Sequence, residues 1–472
     1  MSKEEKKPKG ARSAKLNDEP TQEVRAPDYL SAVTKHLTES LCEEVFAATR
    51  DRERQRKWTL FTLVWFWIGL LQTRFASQTR AILEAQKGHP LLPDVDASPE
   101  SFFMKIQAVR PVFFRNVFSA FTLAIQTELS PCFATDLGID EKTFPEVYAA
   151  DGSRLEKVGR LLKITRTTTK AILPGSMEAL YDVRRGILRD LWFDPDGFAS
   201  EISMFDQIIG SLPRGALLLA DRYYPKPVIW RDLASRGLFM VSRYNKTVKK
   251  RKLETLSRKR SNKINVDDWL VEMGGSQYGT VPITLRWVHV WNGDFDLVLI
   301  TNVLDPKILS PIQLVGLYRR RWTVERMYLA MKDVLELNHL YNCSPAAVGQ
   351  QTYATAILYN ALRLAQSKMA TTSGIPADDL SVEKLFPALI ENLIKATYME
   401  VGAEDMFERL KKYNPGLKWP GFEANHPTLN LTVAHFRVEK RKGHRKKRRF
   451  CQGRKGQTSF GKIPGAKRFL RN

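Results

Sequence analysis

The chain has four cysteines in 472 residues, Cys42, Cys132, Cys343 and Cys451, and no two of them form a Cys-x-x-Cys pair. That scatter offers neither a disulfide framework nor a zinc site, and it fits a reducing compartment. The seven histidines are equally dispersed and are assigned no chemistry. Long apolar runs are missing too. The longest, WTLFTLVWFWIGLL from Trp58 to Leu71, is too short to cross a bilayer and is followed by Arg74 and Arg80, so it is expected to be a buried core helix. The first twenty residues, MSKEEKKPKGARSAKLNDEP, have no apolar signal core and read as a disordered charged arm. With no lipid-anchor motif and no hydrophobic span, an anionic membrane is a poor candidate partner.

Negative charge is the scarcest commodity. The chain has 51 Asp and Glu against 74 Lys and Arg, a net charge of +23. Such an excess favours a polyanionic partner, most commonly nucleic acid. The final stretch, HFRVEKRKGHRKKRRFCQGRKGQTSFGKIPGAKRFLRN, carries 15 Lys or Arg and one acid, Glu439. A run of that kind is solvated, and it raises nucleic-acid affinity through counterion release.

The chain is too long for one ordinary core, so two or three domains are expected around a central one. After the arm (1–28), the pattern to residue 140 is helical, with little proline, glycine or β-branched sequence, and reads as a helical bundle. The texture changes at Thr143. EVYAADGSRL, GRLLKITRT and ALYDVRRGILRDLWFD read as strands of a meander, followed by a helix around SEISMFDQIIGSL. Next come a buried strand ending in a charged turn (RGALLLADRYYP), a helix (WRDLASRG) and a strand (LFMVSRY). Residues 245–304 read as a β-rich insertion. Beyond it lie the helix of LYRRRWTVERMYLAMKDVLEL, a second long helix, QQTYATAILYNALRLAQSKMA, helical sequence within 371–435, and the basic tail at 436–472.

Four residues of that first helix stand out: Tyr318, Arg321, Glu325 and Lys332, at offsets of 3, 7 and 14 from the tyrosine. At about 100° per residue they share an arc of about 60°, so one face carries a carboxylate flanked by two cations and a phenol. Val324, Met327, Met331, Val334 and Leu335 form an apolar arc beside it that lets the helix dock. Taken alone, the stripe also fits a solvated face with i,i+4 ion pairs. Two further carboxylates share a setting: Asp151 ends VYAAD and Asp221 ends ALLLAD, each the first polar residue after a predicted buried strand. Carboxylates so placed converge at one sheet edge, although an Asp-Gly turn accounts for Asp151 equally simply. Hard divalent cations relieve the repulsion among three such groups. Two ions about 4 Å apart activate a nucleophile and stabilise a leaving oxygen in phosphoryl transfer.

YRRRWTVERMYLAMK matches Tyr-x2-Arg-x3-Glu-x6-Lys and resembles the YREK signature of DDE transposases of the insertion sequence 4 family. VYAADGSRL is similar to that family's first-Asp strand and LLLADRYYP to its second, the resemblance covering roughly 143–370. It implies an α/β fold: a ribonuclease-H-like catalytic core in two parts (141–244 and 305–370) with the β-rich insertion between them. A helical DNA-binding domain (29–140) precedes this core, and a helical, basic C-terminal region follows. It also implies Asp151, Asp221 and Glu325 as catalytic metal ligands for Mg²⁺, with Mn²⁺ as substitute, and Tyr318, Arg321 and Lys332 as phosphate contacts. Arg offers a phosphate a bidentate fork, Lys a point charge, and Tyr a donor at low entropic cost. The implied reaction is cleavage at the element's own terminal repeats and joining of the 3′-hydroxyls to target DNA. Double-stranded DNA is the implied partner, assembly as a dimer or higher on DNA is implied as well, and the implied location is the bacterial cytoplasm, at the nucleoid. An inactive DNA-binding relative and a metal-dependent nuclease without joining activity are the alternatives.

Three weaker candidates complete the reading. Arg222 either touches phosphate or pairs with a neighbour. Trp287 and Trp291 either fill a strand sandwich or stack a displaced base, and Trp291, followed by Asn-Gly, is the better placed for the latter. The run Lys246, Lys249, Lys250, Arg251, Lys252 either tracks DNA backbone or is a solvated loop.

Overall fold

The computed structural model describes residues 23–24, 35–49, 56–155, 175–373, 376–391 and 431–432, except 90, 134–135, 198, 200, 225, 276–279, 294 and 378–379. The predicted strand GRLLKITRT, nearly all of the charged arm and all of the basic tail lie outside these residues.

Strand β1 (Glu23–Val24) is followed by five helices: α1 (Glu39–Thr49), α2 (Leu60–Thr73), α3 (Gln78–Ala85), α4 (Pro99–Ala108) and α5 (Pro111–Phe133). Their starts are written in the sequence. Thr59, Ser77 and Ser98 each cap the next helix by accepting a backbone N–H from Thr62, Arg80 and Ser101, and Pro99 fills the first turn of α4. The apolar run does form a buried core helix, with Leu63, Val64, Phe66, Trp67, Ile68 and Leu70 fully enclosed in α2. Among the described residues no single helix is long and apolar enough to cross a membrane.

Among the described residues, nine strands form one sheet. In chain order they are β2 (Val147–Arg154), β3 (Ser176–Asp182), β4 (Ile187–Asp194), then α6 (Glu201–Ser211), β5 (Leu217–Ala220), α7 (Pro227–Ser235), β6 (Phe239–Arg243), β7 (Lys250–Lys259), β8 (Asn265–Gly275), β9 (Thr280–Asn292) and β10 (Phe295–Thr301). The spatial order is β4-β3-β2-β5-β6-β10-β9-β8-β7. The first three are antiparallel neighbours, β2-β5 and β5-β6 are parallel, and β6-β10 and the rest are antiparallel. Gly186, at φ 68, supplies the left-handed residue that turns β3 into β4. The predicted insertion is thus strand-rich, with Asn292-Gly293 at its last hairpin, but it makes no separate sandwich. β10 pairs with β6, so the four strands extend the central sheet.

After the sheet come α8 (Pro311–Arg320), α9 (Trp322–Leu329), a π-helical turn (Ala330–Val334), the long α10 (Pro345–Ser373), a helix at 382–391, and the short β11 (Leu431–Thr432), which pairs with β1. Ser310 and Gln313 form a reciprocal capping box at the start of α8. One face of the sheet packs with α6 and α7. The other joins a single core shared by the N-terminal helices, α8–α10 and the helix at 382–391. Buried amides lock this second layer. Gln350 on α10 accepts from the Trp67 indole at 3.1 Å and donates to the carbonyls of Ile106 and Val109. Asn360 bonds both backbone groups of Leu188 on β4 and the Thr122 hydroxyl on α5. At Gly349 a Cβ would meet Pro111 at 2.7 Å, so the approach of α10 to α5 requires glycine there.

Candidate active site

β2 pairs with β5 only from Val147↔Leu217 to Ala149↔Leu219. β5 ends at Ala220, while β2 runs on to Arg154 against β3 alone, so Asp151 lies within its strand rather than at its end. Extending the parallel register by two residues sets Asp221 level with Asp151 and on the same face, one inter-strand spacing of about 4.8 Å away. Ser242 on β6 donates its hydroxyl to the Asp221 carbonyl at 3.0 Å, which holds the chain as it leaves the strand.

Glu325 comes from the first turn of α9, where the helix dipole favours a carboxylate. The helix carrying it is not the regular one expected. α8 ends at Arg320, Arg321 forms the junction, and after Leu329 the backbone widens, with Leu335 N–H donating to the Ala330 carbonyl at 2.9 Å. The 100° spacing therefore does not run unbroken from Tyr318 to Lys332. The apolar arc is as expected: Val324, Met327, Met331 and Leu335 are buried and Val334 partly so.

All four signature side chains nonetheless meet the two strand ends. Arg321 is buried and spans two acids, with Nη1 2.9 Å from Asp151 Oδ2 and Nη2 2.7 Å from Glu325 Oε1. Burial opposes its charge, but Tyr318, Asp151, Asp221 and Glu325 outweigh that and drive its pKa upward. The Tyr318 hydroxyl lies 3.4 Å from Asp221 Oδ1, and burial pushes this phenol up to about 12. Lys332 donates to Ser153 Oγ at 2.6 Å and to the Arg154 carbonyl at 2.5 Å.

Other members carry no sequence signature. Tyr328 donates to the Asp151 carbonyl at 2.9 Å and lies 3.3 Å from that of Met177, pinning β2 and β3 to α9. Its position three residues after Glu325 was the only available clue. The Tyr224 hydroxyl bonds Glu178, both buried, and Phe205 stacks on its ring at 4.4 Å, fastening the Asp221 loop from below. Arg243 at the end of β6 acts electrostatically on Tyr318.

Arg222 is exposed, with its guanidinium 5.7 Å from the Tyr223 ring centroid. Trp291 is engaged inside the insertion: it stacks on His289 at 4.1 Å and lies under Arg260 at 4.6 Å. Trp287 is buried and stacks on Trp269 at 4.5 Å. Of the lysine run, Lys250 lies over the Tyr244 and Trp287 rings, Lys252 over Trp269, and Arg251 pairs with Glu272.

The oxygen donors of Asp151, Asp221 and Glu325 suit a hard divalent cation. As arranged they do not fit one. Among the described residues no three acidic, histidine or cysteine side chains are grouped to hold a metal ion, and the Arg321 fork occupies oxygens of Asp151 and Glu325.

Residues 144–361 match the family described as Transposase DDE domain, and domains of that family generally use divalent metal ions. The chain is 26% identical over 196 residues to a protein of Sinorhizobium fredii (strain NBRC 101917 / NGR234) provisionally named transposase y4zB. The match takes in 38% of this chain and about half (54%) of the relative. A solved structure, the cryo-EM piggyBac transposase synaptic complex with hairpin DNA, aligns over 84% of this chain and 86% of that one at TM-score 0.39 and 11% identity, a likeness too slight to carry an argument. The family match and this relative support a DDE transposase, the matched segment running from β2 through most of α10.

Proposed function

We propose that the protein is a DNA transposase that cleaves at the terminal repeats of its own insertion sequence and joins the freed 3′-hydroxyls to target DNA. The observation carrying this reading is the meeting of Asp151, Asp221 and Glu325 around Arg321 and Tyr318, where two strand ends face one helix. The strand order β4-β3-β2-β5-β6, three antiparallel strands followed by two parallel ones, supports a ribonuclease-H-like core, with β7–β10 as its insertion. The YREK residues and their spacing support membership of the insertion sequence 4 group. The domain limits are those set out from the sequence.

In this reading Asp151, Asp221 and Glu325 are the catalytic carboxylates, with Mg²⁺ as cofactor and Mn²⁺ as substitute. Arg321, Lys332 and Tyr318 line the approach as phosphate donors: a guanidinium fork, an ammonium and a phenol that burial keeps protonated at neutral pH. Tyr328 and Ser242 are positioning residues that fix the backbone of Asp151 and Asp221. Arg222 and Trp291 are further DNA contacts. The partner is double-stranded DNA, and two ends require two active sites, hence a dimer or larger assembly on DNA. The setting is the bacterial nucleoid.

The test is purified protein with a plasmid carrying the gene's own flanking DNA, comparing Mg²⁺ with EDTA and wild type with Glu325→Gln. Metal-dependent cuts at both flanks followed by joined products, all lost in the variant, support the reading. Cuts without joining would make it a nuclease. Binding without any cut would make it a DNA-binding relative.

A further inference from the structure

The arrangement that fails to fit a metal ion has a definite cause, and the cause is one side chain. Arg321 is 8% exposed, yet it faces the more open carboxylates of Asp151 and Glu325 and bonds one oxygen of each, at 2.9 and 2.7 Å. A guanidinium so placed puts a positive charge between two of the acids that would hold a divalent cation. The guanidinium is itself incompletely served, because its buried Nε has no hydrogen-bond partner among the described residues. A buried donor left unpaired is costly, so this placement holds Arg321 below its best available bonding. Its backbone is fixed at the joint between α8 and α9, where its own N–H reaches Tyr318 and its carbonyl receives Val324, both as i→i+3 bonds, so any move is one of the side chain. A DNA phosphate offers the same fork a doubly charged-assisted partner with oxygens enough for Nε as well.

We propose that Arg321 is an internal counter-ion that excludes divalent metal from Asp151 and Glu325 until a DNA phosphate draws the guanidinium away. This rests on the reading of Asp151, Asp221 and Glu325 as metal ligands and adds an order to it: DNA first, metal second. Without DNA, the guanidinium offsets one of the two negative charges and bridges the acids in a chain whose core continues directly behind α9. With DNA, the positive charge moves onto phosphate, and the carboxylates it leaves are an uncompensated anionic pair that a cation must fill. The device would restrain metal-dependent hydrolysis in protein that has not engaged an end. Linkage makes the coupling reciprocal, so metal must strengthen DNA binding by the same factor by which DNA strengthens metal binding.

The experiment titrates Mn²⁺ into the full-length protein and follows free Mn²⁺ by electron paramagnetic resonance, with and without a short duplex ending at the gene's flank. Wild type is expected to bind Mn²⁺ weakly alone and about tenfold or more tightly with the duplex. Arg321→Ala is expected to bind Mn²⁺ tightly without DNA and to gain little from the duplex. Arg321→Lys, which keeps the charge but not the fork, is expected to fall between them, and it guards against a folding defect in the alanine variant, which circular dichroism would reveal. Adding Glu325→Gln to Arg321→Ala is expected to remove the tight binding. Equal Mn²⁺ affinity in wild type and Arg321→Ala, with no effect of DNA, would overturn the counter-ion role while leaving the metal ligands in place. No Mn²⁺ binding by any form, even with DNA, would overturn the metal ligands themselves and the proposal with them.

Discussion

Asp268 and Arg286 form an ion pair with both side chains fully buried, diagonal neighbours on β8 and β9. Arg286 Nε and Nη2 donate to the two Asp268 oxygens at 2.8 and 2.7 Å, and Nη1 donates to the Leu309 carbonyl at 2.6 Å. Leu309 stands one residue before Ser310, the cap of α8. The pair therefore anchors the insertion to the first turn of the helix pair that delivers Tyr318, Arg321 and Glu325. Arg286→Met leaves the Asp268 carboxylate buried without a counter-charge and the Leu309 carbonyl without its donor. Breaking a buried pair from one side costs about 3–5 kcal/mol. Replacing both partners, as Asp268→Leu with Arg286→Met, removes the stranded charge and leaves mainly the unserved carbonyl, a cost of about 1–3 kcal/mol.

Native-state hydrogen exchange of the β8 and β9 amides reads this locally, which suits a chain of this size better than a global melt. The expected result is strong loss of protection in either single variant and recovery of a large part of it in the double variant. The α8 amides should lose protection in parallel, because the tie to Leu309 breaks. Single-variant costs below about 1 kcal/mol, or costs that simply add in the double variant, would refute the reasoning.

Glu325→Gln should lower DNA cleavage by about 10³-fold or more while leaving DNA affinity nearly unchanged in a gel-shift titration. Tyr328→Phe removes the donor that holds the Asp151 carbonyl; it should cost about 0.5–1.5 kcal/mol in stability and slow cleavage without weakening DNA binding, as single-turnover kinetics would reveal. Glu128 on α5 is held well below the usual carboxylate range, at about 2, chiefly by its bond from Lys35 and also by His36 at 2.9 Å. Its folded pKa lies below the ordinary 4.5, so the stability it contributes is complete above pH 4.5 and is lost as pH falls towards 2. Lys35 is solvent-exposed, so the contribution is at most about 1 kcal/mol, and Glu128→Gln should flatten acid unfolding across that window. Removing residues from Arg437 onward should reduce the salt dependence of nonspecific DNA binding, and an unchanged slope would mean the tail does not touch DNA.

Much of the sheet could be read from the sequence because its signals are local. VYAAD and ALLLAD announce buried strands, although β2 runs on past Asp151 to Arg154 and only β5 stops before its acid, and Asn292-Gly293 announces a hairpin. The YREK spacing pointed to a helix delivering Tyr318, Arg321, Glu325 and Lys332 together, and they do meet the strand ends. What stayed hidden depends on partners distant in sequence. No proline or glycine marks the joint at Arg321, which is set by an ion pair to Asp151, 170 residues away. The registration of β10 on β6, which makes the insertion part of the central sheet, is likewise invisible to hydrophobic alternation. Tyr328, Glu178 and Tyr224 look like ordinary core residues until their hydroxyl and carboxylate partners are known.

The irregular helix also explains why the signature survives without a constant helical phase. Each side chain is fastened to a different point of the sheet: Tyr318 at Asp221, Arg321 at the Asp151 carboxylate, Tyr328 at the Asp151 carbonyl, and Lys332 at Ser153 and Arg154. From Arg321 to Lys332 an α-helix would advance about 16 Å, whereas β2 advances only about 10 Å from Asp151 to Arg154. The long Lys332 side chain, about two turns beyond Glu325, still reaches Ser153 and Arg154. The π-helical turn at Ala330–Val334 shortens the advance only slightly before Lys332, so the four groups reach one site through separate attachments to the sheet rather than through one helical phase.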